Sequence, residues 1–256
     1  MSPTAPEADW RLAVVLVLLL AAAVATSWWA RLGVTREEVT AGLRAVAQLA
    51  AVSLLLVAIM ESLAWSFVFV GVMFAVGAGT SLRRMHAPVA ELPWVALAIA
   101  VGAGPVVGLI LLSGVVPLSG PGVIPIAGIV IGNAMTAATL TGRRAFDELA
   151  AHSGAYEAAL AVGLPSPSAA LLVLEPSARE ALTPGLDQTR TVGLVTLPGA
   201  FIGVILGGGT ALEAGAAQLL VLIGLLAAQA LTTAMTLRVI SRGVLVRKEL
   251  RPVFPR

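Results

Sequence analysis

The sequence predicts an all-α polytopic membrane protein, a bundle of about seven transmembrane helices with the N-terminus outside and the C-terminus in the cytoplasm. Three observations support this fold class. First, 58% of the 256 residues are hydrophobic and 12% are charged, whereas soluble proteins carry about 25% charged residues. Second, the apolar residues form runs long enough to cross the roughly 30 Å hydrocarbon layer as helices. Third, the basic residues gather in alternate connections between those runs.

Each apolar run is predicted to be a helix, because the runs lack the alternation of barrel strands and a helix satisfies its own backbone groups in lipid. In chain order they are residues 12–30, 43–60, 63–82, 94–116, 123–141, 191–209 and 214–239. We expect them to form one transmembrane permease domain over residues 1–256. Ala23-Val24-Ala25 leaves a cleaved signal peptide as the alternative for the first run, although the run is longer than a signal core and no basic cluster precedes it.

The distribution of basic residues predicts the orientation. With the N-terminus outside, one face receives the loops 31–42 and 83–93, the large polar segment 143–190 and the C-terminal tail. These parts, with the adjoining span ends, carry every Lys and Arg except Arg11. Because positive charge is retained inside, this face is predicted to be cytoplasmic. The small net charge of +2 gives no footprint for nucleic acid.

Glycines at four-residue spacing predict close helix packing. The residues are Gly104 and Gly108 in the fourth span, Gly128 and Gly132 in the fifth, and Gly199, Gly203 and Gly207 in the sixth.

Ionisable residues are predicted to lie outside the membrane centre, since no predicted span holds a central Asp, Glu, Lys or Arg. The energy source is therefore not expected to be an intramembrane proton relay. Metal ligands remain unknown: Met60 and Glu61 at the outer end of the second span are weak candidates, and a solvated turn is the commoner role for such a Glu. His86 and His152 have no metal-site spacing, and the chain has no Cys.

Polar or adaptable residues beside glycines are candidates for lining a transport route, with helix–helix hydrogen bonding as an equally weighted alternative. Asn and Thr supply oxygen donors for a cation, but no dense carboxylate cage is visible. The candidates are Gly132, Asn133, Met135 and Thr136 in the fifth span, and Thr191, Gly193, Pro198 and Gly199 in the sixth.

The segment 143–190 contains an apolar helix–turn–helix. Residues 157–176 read EAALAVGLPSPSAALLVLEP and are interrupted at Pro165-Ser166-Pro167. Ser166 is a good N-cap and Pro167 suits the first helical position, so a second short helix is predicted to begin there and to end before Pro176. Such an element packs under the bundle or docks into a partner.

The same segment resembles the EAA loop of ABC-transporter permeases, which seats in the ATP-binding subunit. The matching residues are Glu157-Ala158-Ala159, Gly163, Val173 and Pro176, with Glu175 in place of the usual Leu. VIPIAGIVIGNAMTAATL, residues 123–140, and TRTVGLVTLPGAFIGVILGG, residues 189–208, resemble signature segments of the Fet-type iron-export permease family. That family also includes plant permeases of aluminium tolerance.

The resemblance implies the membrane subunit of an ATP-driven exporter that moves iron or another metal ion out of the cytoplasm by alternating access. It implies a separate ATP-binding subunit that holds ATP and Mg, a permease homodimer in a two-plus-two complex, and the inner membrane of a bacterial cell. The residues expected to couple to the partner are Glu157, Ala158, Ala159, Gly163, Ser166 and Pro176.

One observation that does not depend on the resemblance also favours a separate ATP-binding subunit. The sequence has no GxxxxGK[ST] motif and its single Lys is Lys248, so this chain is not expected to be an enzyme or to bind a cofactor of its own. The alternative is a stand-alone secondary carrier or channel that needs no ATPase. An intramembrane hydrolase is disfavoured because no span pairs a Ser nucleophile with a His.

Overall fold

A computed structural model describes residues 9–251, and the chain divides into two compact units, one up to Glu61 and one from Ser62 onward. The first unit is a helical hairpin of α1 (Trp10–Trp29) and α2 (Thr35–Met60). The Ser27 hydroxyl donates to Glu38 Oε1 at 2.7 Å. A Cβ at Gly42 would lie 3.0 Å from Leu20 Cδ2, so the glycine lets α1 and α2 approach closely.

The second unit contains seven α-helices among the described residues. They are α3 (Leu63–Arg84), α4 (Leu92–Leu112), α5 (Gly120–Ala151), α6 (Ser153–Ala161), α7 (Ser166–Thr191), α8 (Gly199–Leu206) and α9 (Ala211–Ser241). Short 3₁₀ helices cover Val89–Glu91 and Lys248–Leu250. The buried core runs through α3, α4, α5, α7 and α9.

Buried hydroxyls show that α3, α5 and α9 run in the same direction. Thr139 of α5 donates to the Ser81 hydroxyl of α3 at 3.0 Å, and Thr141 of α5 donates to the Thr233 hydroxyl of α9 at 3.2 Å. Further toward the start of α5, Asn133 meets Gln229 of α9 and Gly128 lies against Met73 of α3. Contacts between α5 and α9 thus advance together along both helices, as they do in a parallel pair.

The fourth helix runs the opposite way. At its middle, Gly102 faces Ala228 and Thr232 of α9, whereas Val106 and Ile110 nearer its end face Gly224. Consequently the end of α3, the start of α4 and the ends of α5 and α9 all meet at one end of the bundle. We call it the basic end, because Arg83, Arg84, Arg143, Arg144, Arg238 and Arg242 all lie there.

The prediction of a helical membrane bundle is confirmed, with six membrane-length helices instead of seven among the described residues. Predicted spans one to five and seven correspond to α1–α5 and α9. The predicted sixth span, 191–209, is wrong as a continuous helix. The chain instead ends α7 at Thr191, turns through residues 192–198 and forms the eight-residue α8, which at about 1.5 Å per residue is far too short to cross the membrane.

A broken element replaces this span. Because α5 and α9 are parallel, the chain between them must return once across the bundle, and α6 has only nine residues. The return is therefore made by α7 and α8 together, joined by residues 192–198, which we call the helix break. Irregular backbone at membrane depth occurs where it meets protein or a water-filled cavity.

The ends of α7 also differ from the prediction. The N-cap is Pro165, and Ser166 is the first helical residue, with its hydroxyl 2.8 Å from the Tyr156 phenolic oxygen. The helix does not stop before Pro176 but continues through Pro176 and Pro184 to Thr191. Ala169, Ala170, Leu174, Ser177, Ala181 and Gly185 form its buried stripe, and this burial offsets the backbone hydrogen bonds that the two prolines remove.

Of the glycines predicted to pack helices, Gly128 lies at a helix crossing. A Cβ there would lie 2.6 Å from Met73 Cε of α3. At positions 104, 108, 132, 199 and 203, an added Cβ would have no atom of another described helix within 4 Å, and the nearest atoms at Gly207 belong to α8 itself. The Gly199–Gly203–Gly207 ridge therefore packs on no other described helix of the second unit. The closest crossings occur at Gly102 and Gly185.

The C-terminal tail is held by a buried carboxylate at the basic end. Glu91, which is 2% exposed, accepts the Val246 N–H at 2.8 Å and Arg251 Nη2 at 3.0 Å. Arg247 donates to the Met85 carbonyl oxygen and to Asp147, both at 3.1 Å. The tail is thus part of the folded bundle.

Replacing Glu91 with Ala is expected to lower stability by about 1–3 kcal/mol, because the buried Val246 N–H and the Arg251 charge lose their acceptor. Thermal unfolding in detergent and the rate of tryptic cleavage near Arg247 measure the effect. Glu249→Ala removes an exposed carboxylate from the same tail and is the control. Equal stability and equal cleavage of the two variants would contradict the assigned role of Glu91.

Candidate functional site

The turn between α6 and α7 projects at the basic end. We call residues 157–166 the α6–α7 tip. Gly163 has φ +88°, a backbone conformation that favours glycine, and no other atom lies within 4 Å of its Cβ position. Tyr156, which is 1% exposed, anchors the tip through the contact of its phenol with Ser166.

The surface of the tip is apolar. Val162 is 79% exposed, and Leu160 and Leu164 are also exposed. Glu157 and Ala158 face solvent, whereas Ala159 packs against the core. The structure therefore brings Glu157, Gly163 and Ser166 into one protruding element, with Pro176 more than two turns away inside α7. Sequence reasoning missed Tyr156, although a single Tyr within a short helix beside a turn is a reasonable anchor.

Three helices meet at a polar cluster in the middle of the bundle. Gln229 Nε2 of α9 donates to Asn133 Oδ1 of α5 at 3.1 Å. The backbone of α7 comes so close at Gly185 that a Cβ there would overlap Gln229 Oε1. Gln229 is 7% exposed and its Oε1 has no hydrogen-bond partner among the described residues.

The position of this cluster along the helices gives its depth. No charged residue occurs in α9 between Glu213 and Arg238, and Gln229 precedes Arg238 by about 13 Å of helix at about 1.5 Å per residue. Asn133 precedes Arg143 by about 15 Å on the same basis. Since half of the hydrocarbon layer is about 15 Å, the cluster lies near the membrane centre, and so does Gly185.

Two charged residues of α7, which lie outside every predicted span, follow Gly185 closely. Asp187 and Arg190 follow Gly185 by at most about 3 and 8 Å along the helix axis. Their side chains are 59% and 72% exposed, with Arg190 Nη1 3.5 Å from Asp187 Oδ1. A charged side chain facing lipid at this depth costs about 3 kcal/mol. Their face of α7 is therefore suited to water or to another protein surface.

A longer polar stripe continues from this ion pair toward the basic end. Spacing of three or four residues places its members on one helix face, away from the buried stripe of α7. The members are Glu175, Arg179, Thr183, Asp187 and Arg190, all of them exposed. Sequence reasoning assigned these residues to a cytoplasmic loop, because it ended the helix at Pro176.

The residues predicted to line a transport route form two groups in the structure. In α5, Asn133 reaches Gln229, Thr136 donates to the Gly132 carbonyl at 3.0 Å, and Met135 packs against the core. The second group surrounds the helix break: Thr191 ends α7, Gly193 has φ +79°, and Pro198 and Gly199 begin α8. Among the described residues no hydrogen bond links the first group directly to the second.

The weak metal candidates belong to the first unit. Met60 ends α2 and Glu61 occupies the following turn. In residues 9–251, no group of three or more His, Asp or Glu side chains is arranged to hold a metal ion. A tight cage is therefore not part of the described structure.

A bundle of membrane-length helices that includes a polar, broken crossing is suited to a membrane permease. The protein is a polytopic membrane permease subunit, as its family and its relatives show. It belongs to the family described as Uncharacterised protein family (UPF0014), whose model matches residues 10–245.

The relatives confirm the family resemblance that the sequence analysis stated. The chain is 31% identical to "UPF0014 membrane protein STAR2" of Oryza sativa subsp. japonica over 221 residues, 85% of this chain and 77% of that protein. It is 33% identical to "Protein ALUMINUM SENSITIVE 3" of Arabidopsis thaliana over 214 residues, 82% and 77% of the two chains. "Probable iron export permease protein FetB" of Escherichia coli (strain K12) is 35% identical over 137 residues, 54% of this chain and 53% of that protein. No solved structure matches the chain significantly.

Proposed function

We propose that this chain is the membrane subunit of an ATP-driven ABC exporter and that the α6–α7 tip docks into a separate ATP-binding subunit. The exposed apolar tip around Gly163 carries the proposal. An apolar protrusion at the charged end of a membrane protein is a liability in water unless a partner covers it. The chain itself has no P-loop lysine, so the partner supplies ATP and Mg binding.

The tip connects to the membrane interior through a single helix. Ser166 at the tip begins α7, and the same helix ends at Thr191 beside the helix break. Its 26 residues span about 39 Å at about 1.5 Å per residue. A movement of the tip on ATP binding therefore displaces the break, where Thr191, Gly193, Pro198 and Gly199 lie. In this proposal α7 has two packings in the bundle, and nucleotide binding shifts the equilibrium between them.

The assembly is proposed to be two-plus-two, with two copies of this chain and two ATP-binding subunits. The polar stripe of α7 supports a second copy, because its charges at membrane depth require protein or a water-filled route opposite them. The exposed ridge of Gly199 and Gly203 on α8 allows another helix to approach closely. The basic end is cytoplasmic in this proposal, in the inner membrane of a bacterial cell.

The proposed cargo is iron or another metal ion moved out of the cytoplasm. The printed name of the Escherichia coli relative supports iron. The described route offers oxygen donors from Asn133, Thr136 and Thr191 without a tight metal cage, as suits a cation that must leave again. A stand-alone carrier or channel is the competing function, and it would leave the apolar tip without a role.

The test is photo-crosslinking from the tip in native membranes. A photo-reactive amino acid is placed at exposed positions from 157 to 166. The control position is Val115, which is also exposed but lies in the loop at the opposite end of the bundle. Capture of a P-loop ATPase from the tip alone is the expected result. Labelling of only this chain from every tip position would overturn the exporter proposal and favour a self-sufficient carrier.

A further inference from the structure

An apolar groove opens toward the basic end of the second unit, between α4 and α7. Both of these helices pack against α9, and the groove that they leave has a volume of about 490 Å³. Its lining includes Val101 of α4, Leu171 of α7, and Leu231 and Ala234 of α9. Leu171 and Leu231 are 44% and 41% exposed, so the groove is accessible from outside the bundle. Ligand sites in proteins usually measure about 300–1,000 Å³, and the groove lies within this range.

One end of the groove carries a positive charge. Arg238 lines the groove, and Leu231 precedes it by about 10 Å of helix at about 1.5 Å per residue. Arg242 follows one turn later on the same face of α9. Among the described residues neither Arg238 nor Arg242 forms an ion pair, whereas Arg247 and Arg251 do. The groove therefore joins an apolar surface at membrane depth to a cation that has no counter-charge.

This combination matches the two parts of an anionic phospholipid. An acyl chain fits apolar side chains within the hydrocarbon layer, and the phosphate group lies at the membrane surface, where the basic end is. Arginine binds phosphate through charge-assisted hydrogen bonds that are often bidentate. Basic pockets between transmembrane helices bind anionic lipid headgroups on the cytoplasmic side of membranes. A small water-soluble anion could use Arg238 but would leave the apolar part of the groove empty.

We propose that the groove between α4, α7 and α9 binds an anionic phospholipid, with the phosphate on Arg238 and an acyl chain along Leu171, Leu231 and Ala234. The bound lipid contacts α7 together with two other helices of the core. Binding therefore stabilises the packing of α7 in this structure relative to a packing that closes or widens the groove. The site goes beyond the proposed function, and lipid binding itself requires no ATP-binding partner.

The experiment is native mass spectrometry of the purified full chain in detergent, titrated with phosphatidylglycerol or with phosphatidylcholine of the same acyl chains. The wild-type chain is expected to bind phosphatidylglycerol at least about fivefold more tightly, and Arg238→Gln should remove most of this preference, because one basic residue beside an anionic headgroup contributes about this factor. Arg238→Lys should retain most of it, since the charge remains. Ala234→Phe should weaken the binding of both lipids, because the ring takes the space of the acyl chain.

Each variant has a matched control. Arg83→Gln removes the same charge from the exposed last turn of α3, at the basic end but outside the lining of the groove, and should leave the preference unchanged. Ala216→Phe places the same ring on the same face of α9, about 27 Å from Ala234 at about 1.5 Å per residue. Ala216 is also exposed, and this variant should bind both lipids normally.

Four results would each overturn the site. They are no preference for phosphatidylglycerol in the wild-type chain, equal effects of Arg238→Gln and Arg83→Gln, equal effects of Ala234→Phe and Ala216→Phe, and displacement of the lipid by inorganic phosphate at constant ionic strength. The last result would show an anion site that makes no use of the acyl chain. Should Ala234→Phe fail to fold, the comparison of Arg238→Gln with Arg83→Gln decides, because both side chains are exposed.

The result is separable from the proposed function. Lipid binding that depends on Arg238 and Ala234, together with no ATPase captured from the α6–α7 tip, would retain the lipid site and remove the exporter proposal. An ATPase captured at the tip, with lipid binding insensitive to Arg238→Gln, would retain the exporter and remove the lipid site.

Discussion

Gly163→Asp is expected to abolish ATP-driven transport while leaving membrane insertion intact. The backbone at Gly163 has φ +88°, which an L-residue adopts only with strain, and the new carboxylate would stand beside the exposed Val162 on the apolar tip. Both effects act on the α6–α7 tip and neither touches the buried bundle. A fall of more than about tenfold corresponds to about 1.4 kcal/mol of lost coupling. ATP-dependent uptake of iron into inside-out vesicles measures it.

Gly114→Asp is the matched control for this prediction. Gly114 also has a positive φ, +72°, and no atom within 4 Å of its Cβ position, but it lies in the loop at the opposite end of the bundle. The same strain and the same charge should there leave transport near normal. Normal transport by Gly163→Asp, or equal loss in both variants, would show that the α6–α7 tip does not couple the chain to an ATPase.

Gly102→Ala is expected to destabilise the bundle by about 1–3 kcal/mol, the usual cost of overpacking. A Cβ at this position would overlap Thr232 Oγ1 and lie 2.7 Å from the Ala228 carbonyl oxygen of α9. A backbone oxygen cannot move away without shifting the helix. The unfolding midpoint in detergent, compared with wild type, measures the loss.

Gly108→Ala provides the control six residues further along the same helix, at a position that no proline follows. Nothing lies within 4 Å of its Cβ position, and Ala favours a helix over Gly by up to about 1 kcal/mol, so this variant should be neutral or slightly stabilised. Gly185→Ala should fall between the two, because the overlapping group is the end of the flexible Gln229 side chain. Equal stability of the Gly102 and Gly108 variants would contradict the close crossing of α4 and α9.

Much of the fold could be predicted because it depends on local properties. Apolar runs of membrane length correctly located α1–α5 and α9, and basic residues gather at one end of the second unit as their sequence distribution indicated. The sixth apolar run was wrongly predicted to be one continuous helix, because hydropathy depends on composition and does not reveal where the backbone turns. The residues of α8 are as apolar as a true span, yet the chain turns at 192–198 before them.

The candidate site was predictable only at the α6–α7 tip, where sequence-local signals such as Gly163 and Pro165 mark the turn. Pro176 and Pro184 are ordinary helix breakers in sequence, but burial of one face of α7 against α5 and α9 keeps the helix continuous. No local pattern reveals that burial. For the same reason the polar stripe was interpreted as a loop surface.

Composition and periodicity alone determined that this chain is a helical membrane protein, which connections are basic and where the turn at Pro165 lies, because these properties belong to single segments. Tertiary structure decided the broken crossing of α7 and α8, the burial of Glu91 under the C-terminal tail and the depth of Asp187 and Arg190. The depth of a residue is fixed by what its helix packs against, here Gly185 on Gln229. A contact between residues 44 positions apart cannot be deduced from either segment by itself.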